Sequence, residues 1–152
     1  MTLAQEVAED IEPAVMDAKL MYNAIYNLIN NALGACGDGT SITTRARVIE
    51  EGEFPDGAFL EVAVADTGSG MPEEVRRKLF TDDAVSTKAM GTGLGTKIVK
   101  NAVDAHGGVV WVESVMGEGT TITFRVPVDG SPAAQEAMRL AAQKAEQDAK
   151  EE

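Results

Sequence analysis

The tightest constraint on this chain is an ordered trio. A helix carrying Asn23, Asn27 and Asn31 is followed by two glycine-rich runs, Asp66-Thr67-Gly68-Ser69-Gly70 and Gly91-Thr92-Gly93-Leu94-Gly95. From Asp17 to about Cys36 apolar residues recur at helical spacing: Leu20, Ala24, Leu28 and Ala32, with Ile25, Ile29 and Leu33 beside them. That pattern predicts one buried stripe. The three asparagines stand four apart and share a face. Asparagine is an indifferent helix former, so three on one face need a reason. A solvated polar face suffices for Asn23 and for Asn30, whereas Asn27 and Asn31 are read together with the glycines downstream.

The glycine-bearing stretch Gly34 to Gly39 is expected to end that helix. Ser41 to Glu50 alternates as a strand, with Ile42, Thr44, Ala46 and Val48 on one side. Glu51 to Gly57 reads as a hairpin loop and Phe59 to Ala65 as a second strand. Leu60, Val62, Val64 and then Asp66 point to the same face. A carboxylate that prolongs the buried face of a strand is either a costly defect or a ligand-binding group, and the second reading is adopted.

Pro72 is expected to open a short helix through Phe80, with Glu73 and Glu74 suited to its N-terminus. Thr81 to Gly93 has no period and reads as a loop long enough to serve as a lid. A helix from about Leu94 to Ala105 directs Ile98, Val99, Ala102 and Val103 inward and ends at His106-Gly107-Gly108. Val109 to Val115 and Thr120 to Val128 form a last hairpin. The expected organisation is a lead-in segment over 1–16, one domain over 17–128, and an acidic helix or linker over 129–152.

Composition excludes several classes. A net charge of −12 opposes binding to a phosphate backbone, and the final 24 residues hold six acids and three bases. No stretch approaches the ~20 apolar residues of a membrane span, and no signal peptide is evident. The single cysteine, Cys36, allows neither an internal disulfide nor a cysteine-based zinc cluster. A cytoplasmic setting without direct membrane contact is the expectation.

Gly91 to Gly95, immediately before a helix, suits a phosphate cradle: backbone N–H groups can approach closely and the helix end favours anions. The spacing fits neither the Rossmann fingerprint nor a Walker motif. Taken with Asp-x-Gly-x-Gly and the asparagine helix, the order and spacing resemble the GHKL superfamily. That group contains gyrase, heat-shock chaperone ATPases, histidine kinases and mismatch-repair ATPases. The resemblance covers about residues 17–128 and is nearest to the catalytic ATP-binding domain of sensor histidine kinases. Asn27-Leu28-Ile29-Asn30-Asn31-Ala32 resembles the N box, and Asp66 to Met71 the first glycine box. Leu79-Phe80 with Ser86-Thr87-Lys88 resembles the F box and lid. Gly91 to Gly95 with Ala105-His106-Gly107-Gly108 resembles the second glycine box and its helix.

The resemblance implies a two-layer α/β sandwich, the Bergerat ATP-binding fold, with a mixed, mostly antiparallel sheet and helices on one face. It implies ATP and Mg²⁺ as cofactors. Asp66 would accept from the adenine amino group, with Gly68, Gly70 and Met71 beside the base. Asn31 would hold Mg²⁺ through its amide oxygen, and Asn27 would face the same phosphates. Lys88 and Gly91, Thr92, Gly93, Leu94 and Gly95 would order over the phosphates, with Asn27 and Lys88 as the catalytic pair. Thr120 would support the adenine site.

Asn27 also separates branches of the superfamily. The gyrase and chaperone branches, like the anti-sigma serine kinases, carry an acid there; in the first two it activates water. An amide cannot take that proton, so transfer to a strong nucleophile such as imidazole is implied, with positioning and charge neutralisation carrying catalysis. Thr81-Asp82-Asp83-Ala84-Val85 and Thr96 depart from the family pattern and bear on lid geometry. The single histidine, His106, ends a helix before two glycines and reads as a cap rather than a phosphoacceptor. The acceptor is therefore expected on a separate histidine-bearing dimerisation domain. A response regulator would follow indirectly, and the chain is expected to be monomeric. The rival readings are a GHKL ATPase, an anti-sigma-type kinase and a non-catalytic nucleotide-binding regulatory module.

Overall fold

Alternation gives most of the strands one face to bury, and the helices between them supply the cover. The computed structural model describes residues 1–9, 16–49, 59–81, 94–128, 139–140, 143–144 and 146–150. Within them the order is β1 (Thr2–Val7), α1 (Ala18–Ala35), β2 (Ser41–Ile49), β3 (Phe59–Asp66), α2 (Glu73–Lys78), α3 (Leu94–Ala105), β4 (Val109–Val115) and β5 (Gly119–Pro127). One sheet runs β1-β2-β3-β5-β4. Strand β1 is parallel to β2, and the other neighbours are antiparallel.

Helices α1 and α3 pack against each other over the sheet. The core joins Met21, Ala24, Leu28 and Ala32 of α1 to Val99, Ala102 and Val103 of α3. Beneath them lie Ile42, Val62, Val64, Ile122, Phe124 and Val126. The alanines let the two helices and the sheet approach closely, and the end of α1 lies beside the loop that follows β3. Asp17 caps α1, its carboxylate accepting from the Leu20 N–H at 3.0 Å. This is the two-layer sandwich with a mixed, mostly antiparallel sheet that the sequence implied.

The opposite sheet face carries charge over a few aromatic rings. Glu61 bridges Arg47 and Arg125 at 2.9 and 2.8 Å. The Arg125 guanidinium lies 4.9 Å from the centroid of Phe59 and 5.0 Å from that of Trp111. Burial pushes the Glu61 carboxyl up, but the hydrogen bonds from Arg125 and Arg47 outweigh it, and its pKa is lowered overall.

Several expectations are corrected. Leu20 and Leu33 were placed on the buried stripe of α1, yet both are exposed and Met21 fills the core position instead. The buried arc is narrower than the apolar one, because α1 covers the sheet with one face only. Ile98 likewise lies on the outer side of α3, 41% exposed. Pro72 is the N-cap of α2 rather than its first residue. Residues 2–7, expected as a lead-in, form an edge strand. All six are exposed, so neither face leaves an apolar alternation to read. Of the expected C-terminal helix, the described residues are helical and exposed.

Candidate functional site

Asp66 closes β3, the central strand. The register sets it between Ile42 of β2 and Thr120 of β5 on the helix-facing side. Its half-buried carboxylate accepts from the Gly68 N–H at 2.9 Å. Burial raises its pKa, while the Gly68 and Thr120 backbone N–H groups pull the other way. An acceptor held partly desolvated is suited to a ligand's N–H donors, since water competes poorly for it.

The loop after Asp66 is tied to its neighbours by backbone. Thr67 N–H donates to the Ser41 carbonyl at 3.0 Å, and Ser69 N–H to the Ala35 carbonyl at 3.0 Å. Gly117 N–H donates to the Ser69 carbonyl at 2.7 Å, and Thr67 Oγ1 accepts from Ser41 N–H at 2.8 Å. The glycines follow from this crowding. A Cβ on Gly68 would overlap the Ala35 carbonyl, and one on Gly70 (φ +67°) the Val115 carbonyl. These two glycines answer to protein backbone, a requirement distinct from the passage beside a base that the sequence reading gave them. Met71 N–H donates to Ser114 Oγ at 3.0 Å.

Midway along α1, Asn27 donates through Nδ2 to the Asn23 carbonyl at 2.7 Å. A Cβ built on Gly95 would stand 3.0 Å from Asn27 Oδ1, so that oxygen faces the start of α3. Asn31 is half-buried one turn further on, and four residues later Ala35 touches the glycine loop. By helical rise Asn27 and Ala35 are about 12 Å apart along α1. The site is thus elongated, with a carboxylate at one end and a helix N-terminus with amide oxygens at the other. Such neutral, hard oxygens fit a cation that keeps several waters and shares phosphate ligands. Asn27 and Asn31 could hold Mg²⁺ in that way. Among the described residues no cluster of His, Cys, Asp or Glu could hold a metal ion.

Of the expected site residues, the structure brings Asp66, Gly68, Gly70, Met71 and Thr120 to one end and Asn27 and Gly95 to the other, with Asn31 between. Lys88, Gly91, Thr92 and Gly93 lie outside the described residues; Leu94 begins α3. His106 stands at the far end of α3. Its Nδ1 lies 2.7 Å from the Ala102 carbonyl, and its Nε2 accepts from the Asp17 N–H at 3.0 Å. The ring is therefore the neutral Nδ1-protonated tautomer, joining the end of α3 to the start of α1. Ser114 was missed. Its signal was the parity already used for Asp66: Val110, Val112 and Ser114 alternate along one face of β4.

A half-buried carboxylate at the end of a central strand, a clamped glycine loop and an amide oxygen facing a helix N-terminus are features that suit a nucleotide-binding α/β sandwich. Residues 16–130 match the family described as histidine kinase-, DNA gyrase B- and HSP90-like ATPase, and the chain belongs to it. Sensor histidine kinase WalK of Bacillus subtilis is 38% identical over 117 residues, covering 74% of this chain and 18% of WalK. Sensor histidine kinase ZraS of Klebsiella oxytoca is 40% identical over 114 residues, covering 75% of this chain and 23% of ZraS. The chain thus spans less than a quarter of either relative. The catalytic domain of histidine kinase ThkA superposes with a TM-score of 0.66 at 27% identity, covering 84% of this chain and 78% of that one. Full-length ShkA, solved in complex with AMPPNP, gives 0.66 at 25% identity, covering 83% of this chain and 25% of ShkA. Among the described residues no helix is long and apolar enough to cross a membrane.

Proposed function

We propose that this domain binds Mg²⁺–ATP and donates the γ-phosphoryl group to a histidine on a separate dimerisation and phosphoacceptor domain, the first step of two-component signalling. The observation that carries this reading is the amide at Asn27. Its Nδ2 is engaged by the Asn23 carbonyl and its Oδ1 faces Gly95, so a proton-accepting group for water is absent where the ATPase branches carry an acid. The sensor-kinase relatives and the AMPPNP complex of ShkA support the same reading.

Asp66 then orients the base by accepting from its amino group, with Gly68, Gly70, Met71 and Thr120 forming the wall beside it. Asn31 and Asn27 present oxygens toward the metal and phosphates, and Gly91, Thr92, Gly93, Leu94 and Gly95 with Lys88 close over them. When bound, Mg²⁺ would neutralise charge on the transferring group. The imidazole of the acceptor supplies the nucleophile, so the domain contributes position more than acid–base chemistry. We place the domain in the cytoplasm, monomeric as this fragment, with a response regulator downstream of the acceptor.

The test mixes the domain with Mg²⁺, γ-labelled ATP and an isolated phosphoacceptor hairpin of a sensor histidine kinase. Acid-labile, alkali-stable label on the hairpin is expected, with little on the domain itself. Steady phosphate release without hairpin labelling would favour an ATPase, and binding without either a regulatory module. Strong labelling of His106 would overturn the proposal.

A further inference from the structure

Ser114 lies at the junction of three polar groups. It continues the helix-facing row of β4, and the register sets it beside Thr120, which in turn pairs with Asp66. Ser114 Oγ is 3.0 Å from Met71 N, 3.1 Å from the Gly119 carbonyl and 2.8 Å from Thr120 Oγ1. A hydroxyl has one proton and two lone pairs. Met71 N–H can only donate, and the Gly119 carbonyl can only accept.

With the Ser114 proton on the Gly119 carbonyl, its lone pairs take the Met71 N–H and the Thr120 O–H. That arrangement satisfies all three neighbours at once. The reverse, in which Ser114 donates to Thr120, gives up the Ser114 bond to the Gly119 carbonyl, in which Ser114 can only be the donor. Thr120 is 7% exposed, and a buried hydroxyl keeps the orientation its neighbours enforce. Its proton is thus turned toward Ser114, leaving lone pairs alone to meet a ligand beside Asp66.

We infer that Ser114 is a positioning residue that fixes Thr120 as a hydrogen-bond acceptor, so that Asp66 and Thr120 together select a purine bearing a 6-amino group over one bearing a 6-oxo group. This rests on the ATP-site reading above. A 6-amino group offers two N–H donors to the two acceptors, whereas a 6-oxo group sets an acceptor against them. Removing the Ser114 hydroxyl frees the Thr120 proton to turn and donate to the oxo group, which relaxes the discrimination.

The experiment is calorimetric titration with ADP and IDP, which differ in the purine 6-substituent and in the N1 proton that accompanies the oxo group, on wild type, Ser114→Ala, Ser114→Thr and Thr120→Val. Wild type should prefer ADP. Ser114→Ala should lower the ADP/IDP affinity ratio by about tenfold, a magnitude set by one misdirected hydrogen bond, and Ser114→Thr should restore it. Thr120→Val keeps the Ser114 bonds to Met71 and Gly119 and should lower the ratio on its own. Adding Ser114→Ala to it should change the ratio no further. Should Ser114→Ala fail to fold, Thr120→Val decides. Parallel weakening of ADP and IDP, with an unchanged ratio, would make Ser114 a brace for the Met71 loop and overturn the proposal. A wild type that binds both equally overturns the proposal while leaving a nucleotide site; one that binds neither overturns the ATP-site reading and the proposal with it.

Discussion

Replacing Asp66 with asparagine should separate nucleotide recognition from stability. Asp66 accepts from the Gly68 N–H and is held by that of Thr120. An asparagine there would keep its lone oxygen toward those backbone donors, because burying an unmet N–H is costly. Its amide NH₂ would then face the pocket. The base amino group loses a charge-assisted acceptor and meets a donor. One such bond is worth about 1.5–3 kcal/mol and a misplaced donor adds to the loss, so binding should weaken by about 3 kcal/mol, on the order of a hundredfold. Calorimetric titration with a non-hydrolysable ATP analogue and Mg²⁺ reads this directly. Stability should move the other way. Because the folded-state pKa of Asp66 is raised above 3.8, the ionised group opposes folding. That penalty is absent below the unfolded value and fully present above the folded one. The unliganded Asp66→Asn protein should therefore melt no earlier than wild type at neutral pH, and its relative advantage should vanish on acidification. An asparagine variant that binds within about threefold of wild type would refute the assignment of Asp66 as a base acceptor.

Three further outcomes follow from other contacts. Glu61→Gln should lower stability at neutral pH by about 1–2 kcal/mol, discounted because Arg47 is exposed. The folded-state pKa of Glu61 lies below 4.5, so its contribution is present above that value and lost as the pH falls through the folded one. Urea midpoints measured across this window should converge for the two proteins. Gly70→Ala meets both a φ of +67° and the Val115 carbonyl. It should cost more than about 1 kcal/mol and weaken nucleotide binding, whereas Gly37→Ala, with open space around it, should leave melting and binding near wild type. His106→Phe removes the hydrogen bonds to Ala102 and Asp17. It should lower the melting temperature by a few degrees, about 1 kcal/mol per bond, and leave ATP affinity unchanged.

What could be read from the chain depended on whether a pattern was local. The strands from Ser41 to Pro127 and the helices α1 and α3 carry their own periodicity, so existence and type were legible. Asp66 was legible because a charge interrupted an alternating apolar row. Ser114 continues such a row as well, but a serine at a strand end carries no energetic penalty that demands explanation, and only the register reveals its partners. β1 was invisible because a wholly exposed edge strand leaves no periodic apolar signal. Leu20, Leu33 and Ile98 were misplaced because an apolar stripe marks what could be buried, while the width of the covering face decides what is. The glycines of the first box were found, yet the backbone carbonyls of Ala35 and Val115 that require them come from residues remote in sequence.

Those carbonyls bear on how the site is maintained. The loop from Thr67 to Met71 is tied to the end of α1 through Ala35, to the start of β2 through Ser41, to β4 through Ser114 and to the β4–β5 turn through Gly117. Each anchor belongs to an element whose position is set by the core: α1 by Leu28 and Ala32, β2 by Ile42, and the hairpin by Ile122 and Phe124. A cavity opened under α1 would therefore reach the base end through the Ala35 carbonyl without touching Asp66. The Asn27 end depends instead on the seam between α1 and α3, where Gly95 admits the Asn27 oxygen. Since α1 carries both the loop anchor and the two asparagines, about 12 Å of one helix fixes the spacing between the proposed base and phosphate ends. On the proposed function, that spacing gives a reason for asparagines on a helix whose intrinsic propensity they lower.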